Sequence, residues 1–161
     1  MTQSVIVTAG GSGIGLAIAQ AFRQTGADVH LVDQDQKALA SVTQANPEFQ
    51  ATCLDVSDER AVNEAMTAHL SKIGRLDVLV NCAGIAGPTA GIENITLAEW
   101  RQCLAVNLDA MFLFARQAVP IMKDQKSGNL INIASTAGWH GYPLRTPYAA
   151  SKSAVIGLTR S

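Results

Sequence analysis

Tyr148 and Lys152 lie four residues apart in the segment Tyr148-Ala-Ala-Ser-Lys152. Residues at i and i+4 share one face of a helix, so this phenol and ammonium would point the same way. An ordinary tyrosine, with a pKa near ~10, is too weakly acidic to serve as a base at neutral pH. A lysine cation beside it favours the phenolate. Ser135 follows a short apolar strand and is placed to hydrogen-bond an oxygen held beside the phenol. Together the three suit removal of a proton from an alcohol while hydride leaves its carbon, or the reverse. Taken singly they say little. Tyr-x-x-x-Lys arises by chance on many exposed helices, and a lone serine is an ordinary loop residue.

The elements that would position them give the set its meaning. Val5, Ile6 and Val7 form a β-branched apolar run that reads as a strand buried on both faces. Thr8 to Gly15 follows, with glycines at 10, 11, 13 and 15, and then Ile14, Leu16, Ile18, Ala19 and Phe22 fit a helix with one apolar face. A strand, a glycine turn and a helix start make an anion site, because free N–H groups and the positive end of the helix dipole face whatever lies over the turn. Small residues let a pyrophosphate approach the backbone, and Gly15 allows helix and strand to pack closely. A second apolar strand, Val29 to Val32, ends at Asp33, about 20 residues beyond Gly13, where a dinucleotide-binding unit places its ribose-binding carboxylate. That carboxylate favours NAD over NADP: it accepts from ribose hydroxyls and repels a 2′-phosphate. Gln34 follows it and Ser12 stands in the glycine turn, so neither position supplies a cation. An oxidised nicotinamide held here would add its positive charge to that of Lys152 beside the phenol.

The alternation continues along the chain. Helices are expected over about Ile14–Gln24, ending at Gly26, and over Gln34–Gln44, broken near Asn46-Pro47. A third strand runs from Phe49 to Leu54 and ends at Asp55. Ser57 is a candidate cap for the next helix, which has Asp58 and Glu59 in its first turn. Leu76–Val80 reads as a fourth strand, closing on Asn81-Cys82-Ala83-Gly84. Thr96-Leu-Ala-Glu99 is a capping box opening a helix to about Met122. Leu130–Ala134 is a fifth strand, Ser135–Pro147 a loop, and Tyr148 opens a last helix still running at Ser161. Strands alternating with helices predict an α/β fold: one doubly wound, Rossmann-like parallel sheet of order 3-2-1-4-5, as a single domain over residues 1–161. In such a sheet ligands lie beyond the C-terminal strand ends. Thr8–Gly15, Asp33, Asp55, Asn81–Gly84 and Ser135 would then share one crevice.

Composition narrows the function classes. The chain has 161 residues, 48% hydrophobic and only 16% charged, which suits deeply buried strands and argues against disorder. A net charge of −1 gives no electrostatic case for nucleic acid or an anionic membrane. No apolar stretch is expected to reach the ~20 residues of a bilayer span, and no signal peptide is expected before the first strand. Cys53, Cys82 and Cys103 lack metal-ligand spacing; they read as small buried hydrophobes in a reducing cytoplasm, with no metal expected.

These motifs resemble the short-chain dehydrogenase/reductase family, over Val5 to Ser161, corresponding to the N-terminal two-thirds of a member. The family's T-G-x-x-x-G-x-G appears as Thr8-Ala-Gly-Gly-Ser-Gly-Ile-Gly15 and its N-N-A-G as Asn81-Cys-Ala-Gly84. Ala9 replaces the first glycine, a departure that is tolerable if its φ is negative. The resemblance implies Tyr148 as acid/base, Lys152 holding the nicotinamide ribose and lowering the tyrosine pKa, and Ser135 orienting the substrate oxygen. Asn107 matches the family's asparagine and would keep a water linking Lys152 to solvent. Read from its apolar neighbours Val106 and Leu108 alone, its plainer reading is a buried amide satisfied by backbone. Cofactor contacts are implied for Gly10, Ser12, Gly13, Ile14, Gly15, Asp33, Asp55, Val56, Asn81, Ala83, Gly84, Tyr148 and Lys152. Asp55 has two readings, a contact to adenine and a residue that opens a helix.

The resemblance implies an alcohol/ketone substrate, with sugars, polyols, 3-oxoacyl thioesters and steroids all open. Trp139, His140, Tyr142, Leu144 and Arg145 are the loop residues expected nearest to it. The helix Trp100–Met122 is apolar nearly all round and wants burial on every side, either against a second copy of the chain, as in the family, or against the last helix. Relative to the family the sequence is expected to be C-terminally truncated, leaving its fifth strand as an apolar edge. It is then either a fragment of an active enzyme or a weakly active nucleotide-binding, oligomerising remnant.

Overall fold

A computed structural model describes residues 2–161 of the chain. Strands β1 (Ser4–Thr8), β2 (Asp28–Asp33), β3 (Gln50–Cys53), β4 (Val78–Asn81) and β5 (Asn129–Asn132) form one sheet, parallel throughout, in the expected order β3-β2-β1-β4-β5. Helices α1 (Gly13–Gln24) and α2 (Gln36–Ala45) cover one face. They bury Val5, Val7, Val29, Leu31 and Val80, with Leu39 and Phe49 closing the layer. On the other face α3 (Glu59–Ile73) and α5 (Ala110–Gln125) pack over Ile6, Val32 and Leu79, joined by Val62, Met66 and Phe114. Alternation along β1 sends Val5 and Val7 to one layer and Ile6 to the other. Each fully buried aliphatic side chain contributes about 1.5–3 kcal/mol by leaving water. β5 is an edge strand, with Ile131 39% exposed, as the apolar-edge reading expects.

Several boundaries move for local reasons. The cap of α3 is Asp58, whose Oδ1 accepts from the N–H groups of Arg60 (2.9 Å) and Ala61 (3.1 Å). Ser57 instead donates its hydroxyl to Asp55 Oδ1 at 2.7 Å. Helix α2 begins two residues late because Asp35 caps it in the same way. The capping box forms as expected and opens α4 (Leu97–Leu104), with Glu99 N–H donating to Thr96 Oγ1. The long helix then departs from expectation. A π turn, Ala105–Asp109, separates α4 from α5, and Ala110 N–H reaches back five residues to Ala105 O. The loop after β5 contains a short helix α6 (Ala137–His140), and the last helix, α7 (Thr146–Arg160), starts at Thr146 with Pro147 in its first turn.

The helical run Leu97–Gln125 has 29 residues and a mean hydropathy of 1.2, so by length and composition alone it would cross a membrane, contrary to the expectation that no stretch approaches that length. It carries a fully buried asparagine, and its segments pack on α3 and α7. It is therefore less open than its composition predicts: Met111, Leu113, Phe114 and Ala118 are covered within the chain, and Phe112 remains 50% exposed. The cysteines differ from expectation too: Cys103 is buried and Cys82 half-buried, but Cys53 is exposed.

His30 on β2 and His69 on α3 meet edge to face, with ring centroids 5.3 Å apart, between the sheet and α3. His30 Nε2 pairs with Thr52 Oγ1 (2.8 Å) and His69 Nε2 with Ser4 Oγ (3.0 Å). Burial, then the neighbouring His69 and Lys72, push His30 down to about 4 against the opposing pull of Asp28. Burial also lowers His69, opposed by Asp28. Both imidazoles are thus neutral in the folded chain, whereas unfolded histidines take up protons below about 6.5. The sign follows: stability is complete above about pH 6.5 and falls as pH drops toward 4. Urea unfolding should lose about 2 kcal/mol between pH 7 and pH 5 through His30, and His30→Asn should flatten that slope. An unchanged slope in the variant would refute the assignment.

Candidate active site

The C-terminal strand ends carry two neighbouring cavities that share Gly84 and Ile85. The larger, about 810 Å³, is lined among others by Ile14, Gly84, Ser135, Tyr148 and Lys152. The smaller, about 200 Å³, is lined by Ser12, Asp33, Asp55, Val56 and Ala83 as well. Ten residues read from the sequence therefore share one crevice.

The glycine turn is built as a cradle. A Cβ on Gly15 would lie 2.0 Å from the Ala9 carbonyl oxygen, so only hydrogen there lets α1 start against β1. Ser12 takes the N-cap position of α1 with no side-chain cap bond, leaving the first-turn amides for an anion. Ile14 stands 66% exposed on the larger cavity. Gly10 and Gly13 belong to the turn without lining either cavity; the Gly10 N–H is bound to Val32 O. The condition set on Ala9 is not met: its φ is +53°, in the left-handed region, so the substitution for glycine carries a cost. A left-handed alanine costs about 1–2 kcal/mol. Ala9→Gly should therefore raise Tm by roughly 2–4 °C, and a lowered Tm would contradict this reading.

Asp33 is fixed before any ligand arrives. Its Oδ2 accepts from Gly11 N–H and its Oδ1 from Asp35 N–H, each at 3.0 Å. Asp55 lines the cavity but also serves locally, its Oδ1 accepting from the Ser57 N–H (2.9 Å) and hydroxyl. Thr8, named in the sequence only as the first residue of the glycine motif, ties the two motifs together: its Oγ1 accepts from Cys82 N–H (2.9 Å) and Ala83 N–H (3.0 Å). Asn81 points elsewhere; its Nδ2 donates to Asn132 Oδ1 across β4 and β5 at 2.8 Å, so it braces the sheet and lines neither cavity.

Helix α7 presents Tyr148 and Lys152 on one face, with the ammonium 5.9 Å from the ring centroid. Lys152 is buried and donates to Ile133 O at 2.7 Å. Burial lowers its pKa, while the thiols of Cys82 and Cys103 act in the opposite direction. A Cβ on Gly138 would lie 2.7 Å from the Lys152 carbonyl, so this glycine lets α6 rest directly on α7 and holds the Ser135 loop against the lysine. Ser135 Oγ accepts from Ala137 N–H at 3.2 Å.

Asn107 is 0% exposed at the centre of the π turn. Its Oδ1 accepts from Ile85 N–H (2.7 Å), and its Nδ2 donates to Ile85 O (2.9 Å) and Ser151 Oγ (3.0 Å). The amide is thus satisfied largely by backbone, the plainer of its two readings. It still stands beside the lysine, since a Cβ on Gly84 would lie 3.3 Å from Asn107 Oδ1 and 3.5 Å from Lys152 Nζ. Ser151, missed in the sequence, links Asn107 to the Tyr148 carbonyl at 2.7 Å. A hydroxyl three residues after the tyrosine on an apolar helix face was the available signal. Of the loop residues, His140, Tyr142 and Arg145 line the larger cavity. Trp139 does not: it lies under Arg160, 4.9 Å from ring centroid to guanidinium carbon, and Leu144 is also outside the lining.

An open parallel sheet with a glycine-turn cradle, an oriented carboxylate after β2 and a Ser/Tyr/Lys set beyond β5 defines a Rossmann-like α/β fold. More narrowly, the chain belongs to the short chain dehydrogenase family, whose model matches residues 3–161. It is 38% identical over 163 residues to a levodione reductase from Leifsonia aquatica, which covers 98% of this chain and 61% of that protein. It is 35% identical over 156 residues to a 2-dehydro-3-deoxy-L-rhamnonate dehydrogenase (NAD(+)) from Sphingomonas sp. (strain SKA58), covering 97% of this chain and 63% of the relative. The crystal structure of an NAD+-bound xylitol dehydrogenase superposes with a TM-score of 0.91 at 31% identity, covering 98% of this chain and 62% of that one. The chain therefore spans about three-fifths of the length of these relatives.

Proposed function

We propose that the chain carries the nucleotide-binding and catalytic part of an NAD-dependent oxidoreductase that interconverts a secondary alcohol and a ketone. The observation that carries this reading is that Ser135, Tyr148 and Lys152 line one cavity with Gly84 and Ile14, directly beside the glycine-turn cradle. The residues fit a dinucleotide. The uncapped start of α1 and Ser12 would meet the pyrophosphate, Asp33 the adenine ribose, Asp55 and Val56 the adenine, and Lys152 the second ribose. When bound, a nicotinamide supplies the hydride acceptor or donor.

The chain's own residues then move the proton. Ser135 orients the substrate oxygen, and the Tyr148 oxygen takes the alcohol proton in oxidation or returns it in reduction. The buried Lys152 ammonium, held by Ile133 O, stabilises negative charge developing on that oxygen. Asn107, buried beside Lys152, would keep the water that links the lysine to solvent. Asp33 supports NAD over NADP by the charge argument. The relatives' names agree, one being an NAD(+) dehydrogenase and one structure holding NAD+. Turnover of alcohol/ketone pairs, followed by nicotinamide absorbance in wild type and Tyr148→Phe, tests the proposal.

The reading includes a homo-oligomer formed through the helix at Trp100–Met122, for which the exposed Phe112, with Arg116 over its ring, offers the apolar contact. Light scattering at micromolar concentration should give a multiple of 16.9 kDa; a monomer throughout would remove this part.

A further inference from the structure

The larger cavity is unbalanced in charge. Arg145 and Lys152 line it, and no carboxylate does among the described residues. Lys152 gives one of its three N–H donors to Ile133 O and is assigned above to the second ribose and Tyr148. Arg145 is committed on one side only. Its Nη1 donates to Ala86 O (3.1 Å) and Gly87 O (2.9 Å), and it forms no ion pair with a carboxylate among the described residues. A guanidinium carries five N–H donors in a rigid fork. Fixing Nη1 therefore orients the Nε–Nη2 edge, the edge that meets a carboxylate bidentately.

The backbone is bent to set that arginine. Leu144 has φ +62°, a left-handed conformation for a branched residue, and its carbonyl accepts from Ala90 N–H at 3.0 Å. Arg145 takes the N-cap position of the 15-residue helix α7, three residues before Tyr148. A cation there sits at the positive end of the helix dipole, where an anion is favoured. The position is unfavourable for the cation alone and favourable for a cation holding an anion.

Resting on the dehydrogenase reading above, we infer that Arg145 is a specificity residue for an anionic substrate: a hydroxy or oxo acid whose carboxylate pairs with the Nε–Nη2 edge while its carbinol or carbonyl oxygen lies between Ser135 and Tyr148. This places neutral sterols and unsubstituted polyols outside the preferred class.

The test measures binding first, so that it does not depend on turnover. Acetoacetate, levulinate and 5-oxohexanoate, each with its methyl ester, are titrated calorimetrically into the chain, with and without NADH. At least one acid should bind ten or more times tighter than its ester, since a hydrogen-bonded ion pair at a half-buried arginine reaches that range. R145Q should collapse the acid-over-ester ratio toward one, and R145K should keep part of it. Equal binding of acid and ester in wild type overturns the inference. So does a loss in R145Q that is the same for both members of a pair, which would make Arg145 only a strut for the Ala86–Gly87 loop. Failure of NADH to bind would count against the dehydrogenase reading alone, because the acid-over-ester ratio is still read in the cofactor-free chain.

Discussion

Tyr148→Phe should lower kcat by roughly 10²–10⁴-fold while NADH affinity stays within about threefold. The substitution deletes one oxygen and keeps the ring that lines the cavity beside Ser135 and Lys152. Most of the cofactor cradle lies on other elements, α1, the Asp33 turn and the Gly84 loop, and α7 adds Lys152 at the second ribose. Binding and chemistry should therefore separate. If Tyr148 were an ordinary lining residue, the ring alone would suffice, and the variant would turn over at nearly the wild-type rate. A variant that lost NADH binding in parallel with kcat would show that the hydroxyl holds the cofactor rather than moving the proton. Steady-state kinetics beside a fluorescence titration distinguish the three outcomes.

Gly15→Ala should be the most damaging single methyl group in the chain. Its Cβ would stand 2.0 Å from Ala9 O and 2.7 Å from Ala9 C, both main-chain atoms that no rotamer change can move aside. Two effects oppose each other here. Replacing glycine by alanine inside a helix ordinarily stabilises by about 1 kcal/mol. Overpacking against fixed atoms costs about 1–3 kcal/mol and occasionally more, and this contact belongs at the upper end. The clash should win. Tm should fall by roughly 5–10 °C, and NADH affinity by at least tenfold as α1 swings off the turn. A Tm equal to or above wild type would mean that α1 can shift without cost, and that the cradle is not built on this contact.

Much of this was legible from residue order alone. The run Val5–Val7 and the apolar segments ending at Asp33 and Asn81 give the sheet, since buried parallel strands read as continuous apolar runs. Right-handed crossovers then dictate the strand order. Asp33, Ser135, Tyr148 and Lys152 were found because each sits at a strand end or helix start that the pattern locates. What escaped depends on backbone detail. The π turn around Asn107 leaves no mark in hydrophobic periodicity, because a one-residue insertion only rotates an apolar stripe that is already broad. Asp58 rather than Ser57 caps α3 because Ser57 is claimed by Asp55, a competition between two suitable side chains. The positive φ of Ala9 was not legible because alanine rarely adopts it, and only the docking of Gly15 on its carbonyl shows why the chain tolerates it. Thr8 and Ser151 act through hydroxyls bonded to residues distant in sequence or to backbone, which spacing does not reveal.

The most direct test of the whole account is a titration of the chain with NADH and with NADPH, followed by nicotinamide fluorescence, in wild type and Asp33→Asn. The account predicts saturable binding of NADH, at least tenfold tighter than NADPH, with the preference shrinking in the variant as the charge facing the 2′ position is removed. Absence of saturable binding, or tighter binding of NADPH by the wild-type chain, would contradict it.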